Sequence, residues 1–197
     1  DVPQNGVGMM MNKPNVFELI ERMAALIRSE ERKRCAELKL QLVHFQILEY
    51  LAECNKYSDT PAAIANYLGM TRGTISQTLI LLEKRGLIEK NQDQHDKRVL
   101  HIKLLLEGER LLNKAKPDFL FSKATELLPD NFDMLAGETV FTEALLALQK
   151  ANNSQSFGIC KSCQNFRQTS NGFFCDLTQE NLTKQDSEKI CQEYSAH

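Results

Sequence analysis

The sequence predicts a mainly α-helical chain with one small β-hairpin and a short cysteine-rich unit at its C-terminal end. Three observations carry that reading. Apolar residues recur at helical spacing over most of the stretch from Asn15 to Lys150. Strand-like residues, Leu87 and Ile88 and then Val99 to Ile102, interrupt them around a wholly polar stretch from Asn91 to Lys97. Four of the six cysteines fall at or beyond position 160.

Asp1 to Gly8 is polar and precedes Met9, Met10 and Met11, so residues 1–14 read as a disordered N-terminus or a cloning remnant ahead of a natural start. From Asn15 to Arg28, Val16, Leu19, Ile20, Met23 and Ile27 mark a helix. The charged run to Lys39 follows without Gly or Pro and contains Cys35. Leu40 to Cys54 is helical again, with a broad apolar face around His44. Cys35 and Cys54 read as small packing residues, and His44 as a satisfied core histidine.

Two shorter helices follow a loop at Asn55 to Asp59. Thr60 can cap the first, with Pro61 at its first position, where the missing N–H costs nothing, and Gly69 suits its left-handed end. Thr71 can cap the second, from Arg72 to about Arg85, which stops at Gly86. A short helix, a Gly-containing turn and a longer helix make a helix-turn-helix, and the hairpin after Gly86 makes its wing. Helical spacing returns from Leu105 to Pro117, then at Phe119 to Leu128 and Phe132 to Leu148, with Pro129, Asp130 and Asn131 between the last two.

The second helix of the pair has two unlike sides. Ile75, Leu79 and Leu82 should face inward, while Arg72, Gly73, Thr74, Ser76 and Gln77 are small or polar near its start. A helix entering the major groove needs such a side, because long apolar residues there would obstruct it. Arg72 could contact guanine and Gln77 adenine, while Thr71 and Ser76 could donate to phosphates. The net charge of -2 does not advertise a nucleic-acid ligand. Between Thr71 and Lys103, however, Arg72, Lys84, Arg85, Lys90, Lys97, Arg98 and Lys103 face only Glu83, Glu89, Asp93 and Asp96.

The stretch TPAAIANYLGMTRGTISQTLILLEKRGLIEKNQDQHDKRVLHIKLLLEGERLL resembles the winged helix of MarR-family regulators. The resemblance rests on the Ala-rich first helix, Thr71, Leu82-Glu83-x-x-Gly86-Leu87-Ile88, Asp96-x-Arg98 and the Leu104 to Gly108 segment. Leu105 departs from it, standing where the family usually has a Thr that caps the next helix. The resemblance covers about residues 15–150. It implies a homodimeric regulator of transcription that binds double-stranded DNA at a palindromic operator, with the wing at the minor groove. Arg98 would reach that groove with Asp96 pairing to it, Lys97 would add a phosphate contact, and a small-molecule effector would act between the dimer helices and the winged helix.

On this reading residues 15–39 form an N-terminal dimerisation helix, 40–106 the winged helix-turn-helix and 107–150 the C-terminal dimerisation helices. Residues 151–156 form a polar linker and 157–197 a separate small unit. In that unit Cys160 and Cys163 form a C-x-x-C knuckle, and Cys175 and Cys191 complete a tetrahedral set. His197, at the terminus, is a poor ligand. Phe166, Phe173, Phe174, Leu177 and Leu182 give only a small apolar cluster, so a metal would supply folding free energy. Four thiolates suit zinc, with an iron–sulfur cluster as the alternative.

The chain lacks a Gly-rich phosphate loop, an H-E-x-x-H and a G-x-S-x-G, and four cysteines would close a metal's shell, so an enzyme is not expected. Its apolar runs are too short to cross a bilayer and no secretory leader is visible, so a cytoplasmic place is expected. Two further readings stay open: an iron–sulfur or thiol-based redox-sensing regulator, and a zinc-containing protein-interaction adaptor that does not bind DNA.

Overall fold

The computed structural model describes residues 15–94, 96–152, 157–170 and 172–196. The expectations for residues 1–14, for most of the linker and for His197 lie outside them. Helix α1 (Val16–Glu37) opens on a capping box: Asn15 accepts from the amides of Phe17 and Glu18, and Glu18 accepts from the amide of Asn15. The charged run after Arg28 continues this helix, because nothing in it breaks the backbone pattern. Only Cys35 of α1 is buried.

Helix α2 (Leu42–Glu53) runs through the centre, burying Phe45, Ile47, Leu48, Tyr50 and Leu51. His44 is buried there too, and burial pushes its pKa down. Its Nδ1 accepts from the Gln41 amide at 3.3 Å, but its Nε2 has no partner, so this histidine is only half satisfied. Helix α3 (Pro61–Leu68) begins at the Thr60 cap and ends at Gly69 with φ 64°. Helix α4 (Arg72–Lys84) begins at the Thr71 cap, and the chain turns away at Gly86 with φ 69°. Both glycines hold the left-handed backbone that L side chains resist.

Strands β1 (Ile88–Gln92) and β2 (Leu100–Leu104) form the antiparallel wing, with Ile88 opposite Leu104 and Gln92 opposite Leu100. The loop was expected to begin at Asn91. Instead Asn91 and Gln92 pair with His101 and Leu100, since cross-strand bonding accepts polar residues on an open face. Helix α5 (Leu106–Ala115) starts at Leu105, which makes no side-chain cap bond, as its departure from the family pattern implies. Its backbone lies so close to the wing that a Cβ on Gly108 would meet the Leu87 carbonyl oxygen at 2.3 Å.

Pro117 ends α5, and α6 (Asp118–Glu126) and α7 (Met134–Ala151) follow. Of α7 only Ala144 is buried, and of α6 nothing is. Among the described residues no helix is long and apolar enough to cross a membrane.

The cysteine-rich tail carries a two-stranded ladder of β3 (Gly158–Ile159) with β7 (Ile190–Cys191). It also has a three-stranded sheet of β4 (Phe166–Thr169), β5 (Gly172–Cys175) and β6 (Glu180–Leu182), and the one-turn α8 (Lys184–Ser187). It is not a separate unit. Phe157 is buried edge-on to the rings of Tyr67 and Tyr50, at 5.2 and 6.4 Å between centroids. Ile190 bridges to Cys54, and its carbonyl accepts from the Asn55 amide at 2.9 Å. A small cluster that cannot enclose itself has used the winged helix as the rest of its core.

Phe157→Ala should therefore destabilise the whole chain rather than the tail alone. A loss of about 3 kcal/mol is expected for a buried aromatic ring, or roughly 6–12 °C in a thermal melt. An unchanged melting temperature would mean that the tail is not docked through this residue.

Candidate nucleic-acid interface

Ile75, Leu79 and Leu82 of α4 are buried, each 1% exposed or less, and Thr78 is buried with them. The opposite side, with Arg72, Gly73, Thr74, Ser76 and Gln77, is exposed. Apolar burial thus fixes which way α4 faces, and the remaining residues are presented to solvent as a consequence. Thr71 spends its hydroxyl oxygen as the helix cap, accepting from the Thr74 amide at 3.2 Å, and its Oγ1 lies 2.9 Å from the Thr74 hydroxyl. Thr71, one of the two expected phosphate donors, is therefore held in a fixed geometry.

At the wing tip Asp96 accepts from Arg98 three times: from its amide at 3.0 Å, and from Nε and a terminal nitrogen at 2.9 Å each. The Arg98 guanidinium beside it holds the Asp96 carboxyl below the usual carboxylate range. The Arg98 side chain is 90% exposed, so this two-pronged pair contributes aim rather than stability. Lys97 is exposed beside it. Lys90 of β1 pairs with Glu83 of α4 at 2.8 Å, tying the wing to the helix.

Between α4 and the wing runs an open groove of about 940 Å³, lined by Arg72, Ser76, Arg98 and His101 and, from the tail, by Gln192 and Glu193. A second cavity of about 830 Å³ lies among α1, α2, α3, α7 and the tail, with Arg28, Glu49, Tyr67, Leu145 and Phe157 on its walls. Burial raises the Glu49 pKa above the usual carboxylate range.

His101 was not singled out from the sequence. Its Nδ1 meets Asp59 of the α2–α3 loop, and its Nε2 lies 3.3 Å from Asp93 of the wing. The backbone repeats the link, as Ile102 donates to the Asp59 carbonyl at 2.7 Å. The Asp59 carboxylate, with Asp93 as the second neighbour, raises the His101 pKa. Asp59 is itself raised, by burial, despite its cationic partner.

The four tail cysteines, Cys160, Cys163, Cys175 and Cys191, line one cavity of about 20 Å³. The Ser195 amide and the Asn165 side chain donate to the Cys163 sulfur at 3.4 and 3.8 Å. Burial, and then Cys191, Cys175 and Cys163 close by, push Cys160 up to about 12, and burial raises Cys191 too. Without a cation, then, Cys160 and Cys191 are held as thiols, and a divalent ion would reverse that balance. Among the described residues no group of three or more His, Cys, Asp or Glu side chains is arranged to hold a metal ion. The donor chemistry fits a thiophilic cation, while the expected tetrahedral shell is not formed.

Residues 38–99 match the MarR family model. That family consists of transcriptional regulators, not enzymes. The helix-turn-helix-type transcriptional regulator YsmB of Bacillus subtilis is 25% identical over 147 residues, covering 71% of this chain and 96% of YsmB. The transcriptional repressor MprA of Escherichia coli is 32% identical over 73 residues, 37% of this chain and 42% of MprA. Among solved structures, Staphylococcus aureus MepR in complex with DNA superposes with a TM-score of 0.52 at 20% identity, over 70% of this chain and 99% of MepR. CouR of Rhodococcus jostii, bound to p-coumaroyl-CoA, superposes at 0.53 with 23% identity, over 70% of this chain and 91% of CouR.

A histidine raised by a carboxylate stabilises fully below its unfolded value of about 6.5, and that contribution is lost as pH rises through the folded value. His101 should accordingly titrate above the ordinary histidine range in an NMR experiment, and the Ile102 amide should exchange faster once it deprotonates. Titration at or below the ordinary value would rule out the Asp59 pairing.

Proposed function

We propose that this chain is a MarR-family transcriptional regulator that binds double-stranded DNA as a homodimer, with α4 in the major groove and the wing at the minor groove. The sorting of α4 into a buried Ile75, Leu79, Leu82 side and an exposed Arg72, Thr74, Ser76, Gln77 side carries this reading. Thr71, Ser76 and Lys97 take phosphates, Arg72 and Gln77 read base edges, and Arg98, aimed by Asp96, enters the minor groove. MepR, with the same fold, was solved on DNA.

The homodimer is supported by what the fold leaves uncovered. Phe17, Leu19 and Leu26 of α1, Phe119 of α6, and Leu135 and Leu145 of α7 are between 46 and 74% exposed. An apolar surface of this extent on the two ends of one chain fits a second copy, whose two-fold symmetry would make the operator palindromic. The cavity beside Arg28 and Glu49 has room for a small effector, and CouR was solved with p-coumaroyl-CoA. The tail is read as a zinc(II) site held by Cys160, Cys163, Cys175 and Cys191, on the strength of their shared cavity and N–H···S bonds. Zinc(II) would offset half of the charge of four thiolates, with no redox chemistry. An iron–sulfur cluster is the alternative occupant.

Sedimentation should give a particle of two 22.5 kDa chains. On a duplex enriched from a random library, affinity should fall steeply with salt, and Arg98→Ala should weaken it by roughly 5- to 150-fold, about 1–3 kcal/mol. Absence of DNA affinity at low salt would leave the adaptor reading. Elemental analysis should find one zinc per chain in a colourless protein, and a brown protein would instead carry iron and sulfide.

A further inference from the structure

The tail does not hang from the regulator's far end. Strand β7 lies against the α2–α3 loop, the segment that seats both parts of the proposed DNA-binding surface. On one side of Cys191, the Ile190 carbonyl accepts from Asn55. On the other, the Gln192 amide donates to the Ser58 hydroxyl at 2.9 Å, and its side chain donates to the Tyr57 carbonyl at 2.7 Å. Asn55 is 2% exposed and also accepts from the Tyr57 amide and the Ser58 hydroxyl.

The next two residues of that loop lead directly to the DNA-facing elements. Asp59 holds β2 through His101 and the Ile102 amide, and Thr60 caps α3 through the Ala63 amide at 3.2 Å. Gln192 and Glu193 also stand on the wall of the groove that Arg72 and Arg98 share. A displacement of Cys191 therefore acts on the loop, on α3 and on the wing together.

We infer that the four-thiol cavity is a regulatory site: with zinc(II) bound, Cys191 fixes β7 against Asn55–Ser58, and DNA affinity follows zinc occupancy. This rests on the DNA-binding and zinc readings above. It adds that the two sites are coupled through Asn55, Ser58 and Gln192. Coupling is reciprocal, so DNA should tighten zinc by the same factor by which zinc tightens DNA.

The test uses the full chain, a fluorescent duplex enriched from a random library, and zinc(II) set by a competing chelator. The zinc-loaded protein should bind that duplex at least about tenfold more tightly than the chelated protein, within the usual range for coupled sites. Hydrogen exchange at residues 55–60 and at Ile102 should slow on zinc addition. Gln192→Ala should keep its zinc and its melting transition while losing most of the zinc-dependent difference in affinity. It serves as the second variant if Cys191→Ser fails to fold. Zinc bound at one equivalent with identical DNA affinity in both forms would overturn the coupling and leave the zinc reading standing. Failure to bind zinc would overturn the zinc reading and the coupling with it. Failure of every form to bind DNA would overturn the DNA-binding reading and the coupling alike.

Discussion

The Tyr50 hydroxyl, buried in α2, donates to the Ser58 carbonyl at 2.7 Å. Loops are usually left to solvent because their backbone groups need partners. Here a loop between two helices has been drawn into the interior, and every polar group that follows it must be provided for. Asn55 folds back on the Tyr57 amide and the Ser58 hydroxyl, Asp59 serves the wing, and Ile190 of β7 and the Gln192 beyond it supply the rest. The arrangement is costly to leave half made, so it is formed as a whole. Helix α3, the wing and the tail all take their positions from this one segment.

Around it, the apolar residues do the orienting. Phe45, Ile47 and Leu48 of α2 are wholly buried and present a surface on which α3, α4 and α5 come together. Each such side chain contributes about 1.5–3 kcal/mol, far more than the exposed ion pairs at the wing. The polar residues of α4 are outside because Ile75, Leu79 and Leu82 are inside. The close approach at Gly108 then sets α5 directly behind the wing.

Much of this was legible in the sequence wherever the cause is local. Thr60, Thr71, Gly69 and Gly86 mark helix ends by their own chemistry, and the spacing of Ile75, Leu79 and Leu82 named the buried side of α4. Contacts between distant residues were not legible. Nothing near Phe157 announces Tyr67, and Ile190 carries no sign of Cys54, so the tail read as separate when it is docked. His101 and Asp59 share a bond across most of the winged helix, and neither sits in a recognisable motif. The hint that was available lies in the loop itself, where Asn55 and Ser58 are spaced to bond each other's backbone. The four cysteines were legible as a group, and they do line one cavity, but the shell expected of them is not formed.

The wing is fastened at one end only. Leu105 donates to the Leu87 carbonyl, Ile88 pairs with Leu104, and Ile102 is tied to Asp59, while Arg98 projects beyond all three. Mechanically this is a cantilever clamped at its root. Four backbone steps, the last two beyond the strand, carry the chain from Ile102 to Arg98, an arm of at most roughly 13 Å. A tilt of about 5° at the root then carries the guanidinium roughly 1 Å, enough to make or break a hydrogen bond. Events at Asp59 too small to disturb the core would thus arrive at the tip magnified.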